Sequence, residues 1–230
     1  GHPLREREPF GDPQPLLQTA AQLGRMELIE ALLVAGADPQ ARTPDGKDAL
    51  LVRIYTIRSV DAEKGELAVD IFQHPAPGID TPGADFARNA RPGDRAAMLG
   101  PGGGGLPKAD TILLFGDESA LPAIARIAAE VPPTTSLSAV IEVEDAGEEQ
   151  VITSAGSLDL RWLHRSLYRN REDRGLADAA MRAIEGMKAD SFVWFACEKE
   201  DVRLIRNRLK ERGHDKRRQY VAWYWERHSS

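Results

Sequence analysis

In the run Arg53-Ile54-Tyr55-Thr56-Ile57-Arg58 a guanidinium, an aromatic ring and a hydroxyl fall within four residues, set between the apolar Ile54 and Ile57. On an extended strand residues two apart share a face, so Arg53 and Tyr55 project together and Thr56 to the other side unless the strand bends. Such a group can hold an anionic, planar ligand: the guanidinium on a phosphate, ring against ring, the hydroxyl as hydrogen-bond partner. The same six residues also suit a plain amphipathic strand with its polar side chains in water. Both readings stand at this point.

Three further groups follow apolar, strand-like runs: Gly116-Asp117-Glu118-Ser119-Ala120-Leu121-Pro122, then Glu144-Asp145, then Cys197-Glu198. In a parallel sheet these ends share one edge, which is where open α/β folds bind ligands. Gly116 permits close backbone approach, and the helix expected after it offers free N–H groups to an anion. Asp117 and Glu118 oppose a simple phosphate cradle and suit capping of that helix instead. Cys197 reads either as a reactive thiol or as a small apolar residue at a strand end. His74, His164, His214 and His228 show no metal-ligand spacing with Cys197 or with one another, so no metal site is expected. Neither a Gly-x-Ser-x-Gly elbow nor a P-loop is present. Arg161, Arg165, Arg169 and Arg171 read as a solvated face or as an anion site beside the cleft.

The elements that must position these residues change period along the chain. Residues 12–46 read as helical, with Gly24 between two apolar stripes and Gly36 ending the second. Residues 50–59 read as a strand, 61–65 as a turn, and the alternation of Leu67, Val69 and Ile71 as a second strand of a hairpin. A Pro/Gly-rich stretch, 74–82, leads to a short helix over 84–90, a turn at Pro92-Gly93-Asp94 and a brief strand over 96–99. The glycine run after Gly100 reads as a linker. Beyond it, strands are predicted at 111–115, 139–143, 151–152, 192–196 and 219–225. Helices are predicted at 121–129, 160–168, 176–187 and 202–212. Strand and helix in alternation predict a mostly parallel sheet covered on both faces. The expected fold class is α/β plus β: an antiparallel hairpin region followed by an α/β domain, with a short N-terminal helical segment. The boundaries fall at 1–46, 47–107 and 108–230.

Composition bounds the function. The 230 residues carry 30 basic and 36 acidic side chains, net charge −6, which disfavours nucleic acid as a main partner. A single cysteine forms no intrachain disulfide and fits a reducing compartment. There is no apolar run of membrane-spanning length and no signal-peptide core, so no membrane insertion and a cytoplasmic location are expected.

Two wordings match known families. The segment from Pro15 to Pro39 resembles about one ankyrin repeat, too little to bury its own core, and so predicts packing on another element or self-association. From about Lys47 onward the chain resembles the siderophore-interacting proteins, bacterial flavin-dependent ferric-siderophore reductases similar in fold to ferredoxin–NADP reductases. The resemblance rests on Arg53-Ile54-Tyr55-Thr56-Ile57-Arg58 and on Gly116 to Ile124. It is supported by Asp70-Ile71-Phe72-Gln73-His74, Pro92-Gly93-Asp94, Gly100-Pro101-Gly102-Gly103, Arg161-Trp162-Leu163-His164-Arg165, Trp194-Phe195-Ala196-Cys197-Glu198 and Trp223-Tyr224-Trp225.

The resemblance implies NAD(P)H-dependent, FAD-mediated reduction of ferric siderophores, with Fe(II) released in a bacterial cytoplasm. It implies that Arg53 contacts FAD phosphate, that Tyr55 stacks on the isoalloxazine and that Thr56 hydrogen-bonds near its reactive nitrogen. Tyr55 and Thr56 are thereby the catalytic pair, with Ile57 and His74 beside the cofactor. Thr81, Pro82, Gly83 and Ala84 stand where the family holds the FAD pyrophosphate, with Ala84 in place of a hydroxyl residue and Phe86 in place of a tryptophan. Gly116, Asp117, Glu118, Ser119, Ala120, Cys197 and Glu198 would face NAD(P)H, Trp225 belongs to the aromatic C-terminal motif, and Arg165 is the expected siderophore-binding cation. The resemblance also implies that the hairpin region is a partial antiparallel flavin-binding β-barrel, and the half-barrel that opens the family is expected to be replaced here by the ankyrin-like helices. Competing expectations are a non-catalytic interaction protein with a degenerate flavin domain, and a general flavin or quinone reductase.

Overall fold

The computed structural model describes residues 55–73, 82–94, 105–167 and 175–227. Of these, 82–94 belong to one compact unit, and 55–73 with 105–227 to a second. In the first unit, helix α1 (Pro82–Asn89) starts on a proline, whose fixed φ suits a helix start and whose missing N–H leaves nothing unpaired there. Arg91 and Asp94 then close a turn, Asp94 N–H donating to the Arg91 carbonyl at 2.9 Å.

The second unit opens with an antiparallel hairpin, β1 (Ile57–Asp61) and β2 (Glu66–Val69). Asp61 organises its turn by accepting the N–H groups of Glu63 and Lys64, each at 3.1 Å, and Gly65 takes the left-handed φ of 66° that the turn requires. β1 packs against the helix Leu121–Glu130 of the same unit.

Five parallel strands follow: β3 (Thr111–Asp117), β4 (Ser136–Val143), β5 (Ser157–His164), β6 (Phe192–Glu198) and β7 (Gln219–Trp225). Their order is β5-β4-β3-β6-β7, and every pairing is parallel. β3 and β6 are buried along nearly their whole length, which is why both read as continuous apolar runs. Helix α2 (Leu121–Glu130) covers one face, setting Leu121, Ile124, Ile127 and Ala128 against Ile112, Leu114, Ala139, Ile141 and Ala196. Helices α3 (Gly175–Gly186) and α4 (Lys199–Glu211) cover the other, with Leu176, Ile184, Val202, Ile205 and Leu209 against Leu113, Phe115, Val193 and Phe195. Each fully buried aliphatic or phenyl side chain in these layers stabilises the fold by about 1.5–3 kcal/mol relative to exposure.

Two expected elements are corrected. Residues 160–168 are not helical: β5 runs to His164 and ends in a 3₁₀ turn at Arg165–Leu167, as far as the described residues go. The signal was a period of two, since Leu158, Leu160 and Trp162 lie inward of the exposed Ser157, Asp159 and Arg161, the pattern of a half-covered edge strand. Residues 151–152 form no strand; Ile152 packs on the core without pairing, while Val151 is 95% exposed. Residues 1–54 and 95–104 lie outside the described residues. So therefore do the helical, ankyrin-like segment, Arg53 and the expected strand over 96–99, and likewise His74 and Thr81.

Candidate functional site

The chain leaves β3 onto the α2 face and leaves β6 onto the α4 face. Adjacent strands whose connections diverge in this way open a crevice at their carboxyl ends. The groups that gather there were scattered in sequence: Asp117 to Ser119 after β3, Glu142 and Glu144 at the end of β4, Arg165 after β5, Glu198 at the end of β6, and Trp223 to Arg227 at the end of β7.

Gly116 is a packing glycine. A Cβ added there would lie 2.5 Å from the Ala120 Cβ and 2.9 Å from Ile124 Cδ1, so the close approach it permits is that of α2 itself. Neither acidic residue behind it caps that helix, as the sequence had allowed. The N-cap is Ala120, which provides no side-chain bond. Asp117 is instead 4% exposed and folds back on its own turn. Its Oδ1 accepts the Ser119 N–H at 3.0 Å and the Ser119 hydroxyl, and its Oδ2 accepts the Trp225 indole Nε1–H at 2.6 Å. Burial pushes the Asp117 carboxyl above its ordinary range, while the Ser119 and Trp225 donors and the Arg165 charge pull it back.

Glu118 pairs with Arg165, whose guanidinium spans the ends of three strands. Arg165 bonds both oxygens of Glu118, lies 3.5 Å from Glu142 Oε1 and donates through Nε to Glu144 at 3.3 Å. The expected siderophore-binding cation is therefore already neutralised by three carboxylates. Glu142 also accepts the Leu176 N–H at 3.0 Å, so this carboxylate serves the first turn of α3. Burial nevertheless raises it to about 7, against the pull of that N–H, with Asp117 and Asp201 adding like charge.

At the end of β6 the two expected residues part company. Cys197 is 2% exposed and faces the α3–α4 layer, where burial first, and then the surrounding carboxylates, raise its thiol pKa and hold it as the neutral thiol. Glu198, 4% exposed, caps α4 by accepting the Glu200 N–H at 2.8 Å and also takes the Arg227 N–H at 3.3 Å. Lys199 reaches Glu226 at 2.6 Å and lies 5.9 Å from the Trp223 ring centre.

The hairpin joins this edge from the other side. Thr56 hydrogen-bonds the phenol of Tyr224, which lies edge-on to Trp194 with ring centres 6.4 Å apart. Tyr55 precedes it with 41% of its surface exposed, Ile57 begins β1, and Trp225, next to Tyr224, is 40% exposed with the Arg227 guanidinium 5.8 Å from its ring centre. Tyr55, Thr56 and Trp225, which the Thr56–Tyr224 bond brings toward the end of β7, are residue types that suit a planar ring system such as a flavin. In the other unit a helix does begin at Pro82, where the resemblance places the pyrophosphate; Gly83 lies in its first turn and Ala84, 4% exposed, contributes packing. The turn after β3 fits a phosphate less well, because Asp117 and Glu118 stand at it and Ala120 and Ile124 fill the space at Gly116.

Sequence reasoning passed over Glu142, Tyr224 and the Asp117–Trp225 bond. For Glu142 a signal existed: it is the one charge in the otherwise apolar or small run Ser136–Val143. The pairing of Asp117 with Trp225 spans 108 residues and carries no local signal. Among the described residues no group of His, Cys, Asp and Glu could hold a metal ion, and no helix is long and apolar enough to cross a membrane.

Residues 109–228 match the family model for siderophore-interacting proteins, and residues 25–105 match the model for the siderophore-interacting FAD-binding domain. The second match begins inside the ankyrin-like segment. An uncharacterised protein of Mycobacterium tuberculosis is 40% identical over 116 residues, which are 50% of this chain and 40% of that protein. The ferric vibriobactin reductase ViuB of Vibrio cholerae is 29% identical over 178 residues, 76% of this chain and 64% of that protein. The chain thus spans less than two thirds of the length of either. Among solved structures, a siderophore utilization protein from T. fusca aligns with a TM-score of 0.65 and 38% identity, covering 79% of this chain and 69% of that one. The siderophore-interacting protein SipS from Aeromonas hydrophila aligns with a TM-score of 0.66 and 27% identity, covering 80% and 76%.

Proposed function

Because this chain belongs to the siderophore-interacting protein family, we propose that it reduces ferric siderophores in a bacterial cytoplasm, drawing electrons from NAD(P)H through FAD. The observation that carries the reading is the junction of Thr56 with Tyr224, which brings the segment leading into β1, with Tyr55 in it, to the end of β7. The likeness to a ferric vibriobactin reductase supports the choice of substrate. A bound flavin supplies the match between a two-electron hydride donor and a one-electron ferric acceptor. The chain's own residues bind and orient. Arg53 and the segment Thr81, Pro82, Gly83 and Ala84 would take the phosphates, the Tyr55 and Trp225 rings would flank the flavin ring, and Thr56 would hold its polar edge, with Ile57 and His74 beside it.

On the nicotinamide side, Gly116, Asp117, Glu118, Ser119, Ala120 and Glu198 would form the wall of the crevice, with Cys197 behind it in the α3–α4 layer. Their role is largely architectural, through the packing of Gly116 and the carboxylate ties of Asp117 and Glu198. For Arg165 to meet the siderophore, it exchanges Glu142 and Glu144 for the ligand's oxygens while Glu118 keeps it in place. Iron enters as substrate; once reduced, the less charged Fe(II) is held more weakly by hard oxygen ligands and leaves.

The test is spectroscopic. The purified protein mixed with FAD and passed through a desalting column is expected to retain visible flavin absorbance that NADPH or NADH bleaches and a ferric chelate restores. Elution without flavin would remove the reductase reading and leave an interaction module. Bleaching that free flavin or quinone restores, but no ferric chelate does, would favour a general reductase.

A further inference from the structure

Asp117 closes β3 and Trp225 closes β7, and β6 lies between these two strands in the sheet. A register shift after Cys197 pairs Glu198 with Trp225 rather than with Tyr224. One extra residue bends a strand and re-aims the side chains that follow. The Trp225 indole then reaches past the end of β6 to donate to the buried Asp117 Oδ2 at 2.6 Å. Ser119 occupies the other carboxylate oxygen through its N–H and hydroxyl. The segment is tied twice more, by Glu226 on Lys199 and by the Arg227 N–H on Glu198. Trp225 itself keeps an exposed ring surface.

We propose that Asp117 is a positioning residue: by holding the indole N–H it fixes the plane of the Trp225 ring at the carboxyl edge, so that the ring receives the planar ring of the flavin. The proposal rests on the flavoprotein reading above. It gives Asp117 a task different from direct contact with NAD(P)H, since a carboxylate buried beneath the turn and bonded through both oxygens has no free edge for a dinucleotide. A hydrogen-bonded indole loses rotational freedom before the ligand arrives, and pre-organisation of this kind strengthens binding without adding a contact.

The experiment uses the whole chain, its four tryptophans and FAD as the probe. Indole N–H resonances are recorded by NMR without FAD, the Trp225 signal being the one missing in Trp225→Phe, and FAD dissociation constants are measured by fluorescence quenching. Asp117→Ala is expected to move the Trp225 resonance and to weaken FAD binding by about two- to tenfold, the range of a lost aromatic stack. Asp117→Asn, which keeps an acceptor, is expected to restore both. In a Trp225→Phe background Asp117→Ala is expected to add no further loss. An unmoved indole resonance overturns the proposal, as does an equal loss of FAD affinity in both backgrounds. If the wild-type chain binds no FAD while the resonance still responds to Asp117→Ala, the flavin reading falls and the bond is a fold element alone. If both the resonance and the affinity behave as expected, both readings stand.

Discussion

Glu142→Gln offers a quantitative check on the carboxylates at the sheet edge. Burial raises the Glu142 carboxyl from the ordinary value of 4.5 to about 7, a difference of about 2.5 pH units. At about 1.36 kcal/mol per unit this is at most about 3.4 kcal/mol. The side chain keeps 15% of its surface and lies 3.5 Å from Arg165, so solvent and the guanidinium reduce the figure to about 1–3 kcal/mol. The sign follows from linkage. A carboxyl whose folded pKa is raised favours the folded state while protonated, below about 4.5, and loses that advantage as pH rises through about 7.

Glutamine removes the ionisation but retains an oxygen for the Leu176 N–H, and Arg165 keeps Glu118 and Glu144, so no charge is stranded. The variant should match the wild type near pH 4.5 and exceed it at pH 8. At about 2–4 °C per kcal/mol for a chain of this size, thermal unfolding should read a gain of about 2–12 °C at pH 8. A variant equal to or less stable than the wild type at pH 8 would refute the reasoning. So would an offset of the same size at both pH values, which would point to packing rather than charge.

The other predictions concern single side chains. Gly116→Ala places a Cβ 2.5 Å from the Ala120 Cβ and should destabilise the α/β unit by about 1–3 kcal/mol through overpacking; denaturation at wild-type urea concentrations would show that α2 yields freely. Tyr55→Ala should weaken FAD binding by about two- to tenfold, the loss of one aromatic stack. Unchanged affinity would take Tyr55 out of the flavin site. Cys197, 2% exposed with its thiol pushed up by burial, should resist a disulfide reagent in the native protein and react at once in denaturant. Prompt stoichiometric labelling of the native chain would place the thiol in the crevice after all.

Much of the α/β half was legible from period and punctuation. Apolar runs announced β3 and β6, stripes at helical spacing announced α2, α3 and α4, and Gly213, at φ 68°, ended α4 as expected. β5 was misread because Leu160 and Leu163, with Trp162 between them, look helical when the alternation upstream is ignored. The resemblance to the siderophore-interacting family was carried by short motifs whose order along the chain is itself sequence information, and the family matches agree with it.

What each edge residue does was another matter. Strand parity already puts Leu113, Phe115 and Asp117 on one face and Gly116 on the other, since side chains alternate. Parity does not say which strand stands beside which. Only the crossover from β5 back to β6 sets β6 between β3 and β7, and only that order brings Trp225 within 2.6 Å of Asp117 across 108 residues. The same holds for Arg165, whose charge reads as available in sequence and is neutralised by carboxylates that β3 and β4 deliver. Periodicity carried most of the α/β elements and their facing, β5 excepted, and the order of short motifs carried the family. The tertiary structure decided which charges cancel, which glycine serves packing and which aromatic ring is held in place, because these depend on neighbours that only chain crossing creates.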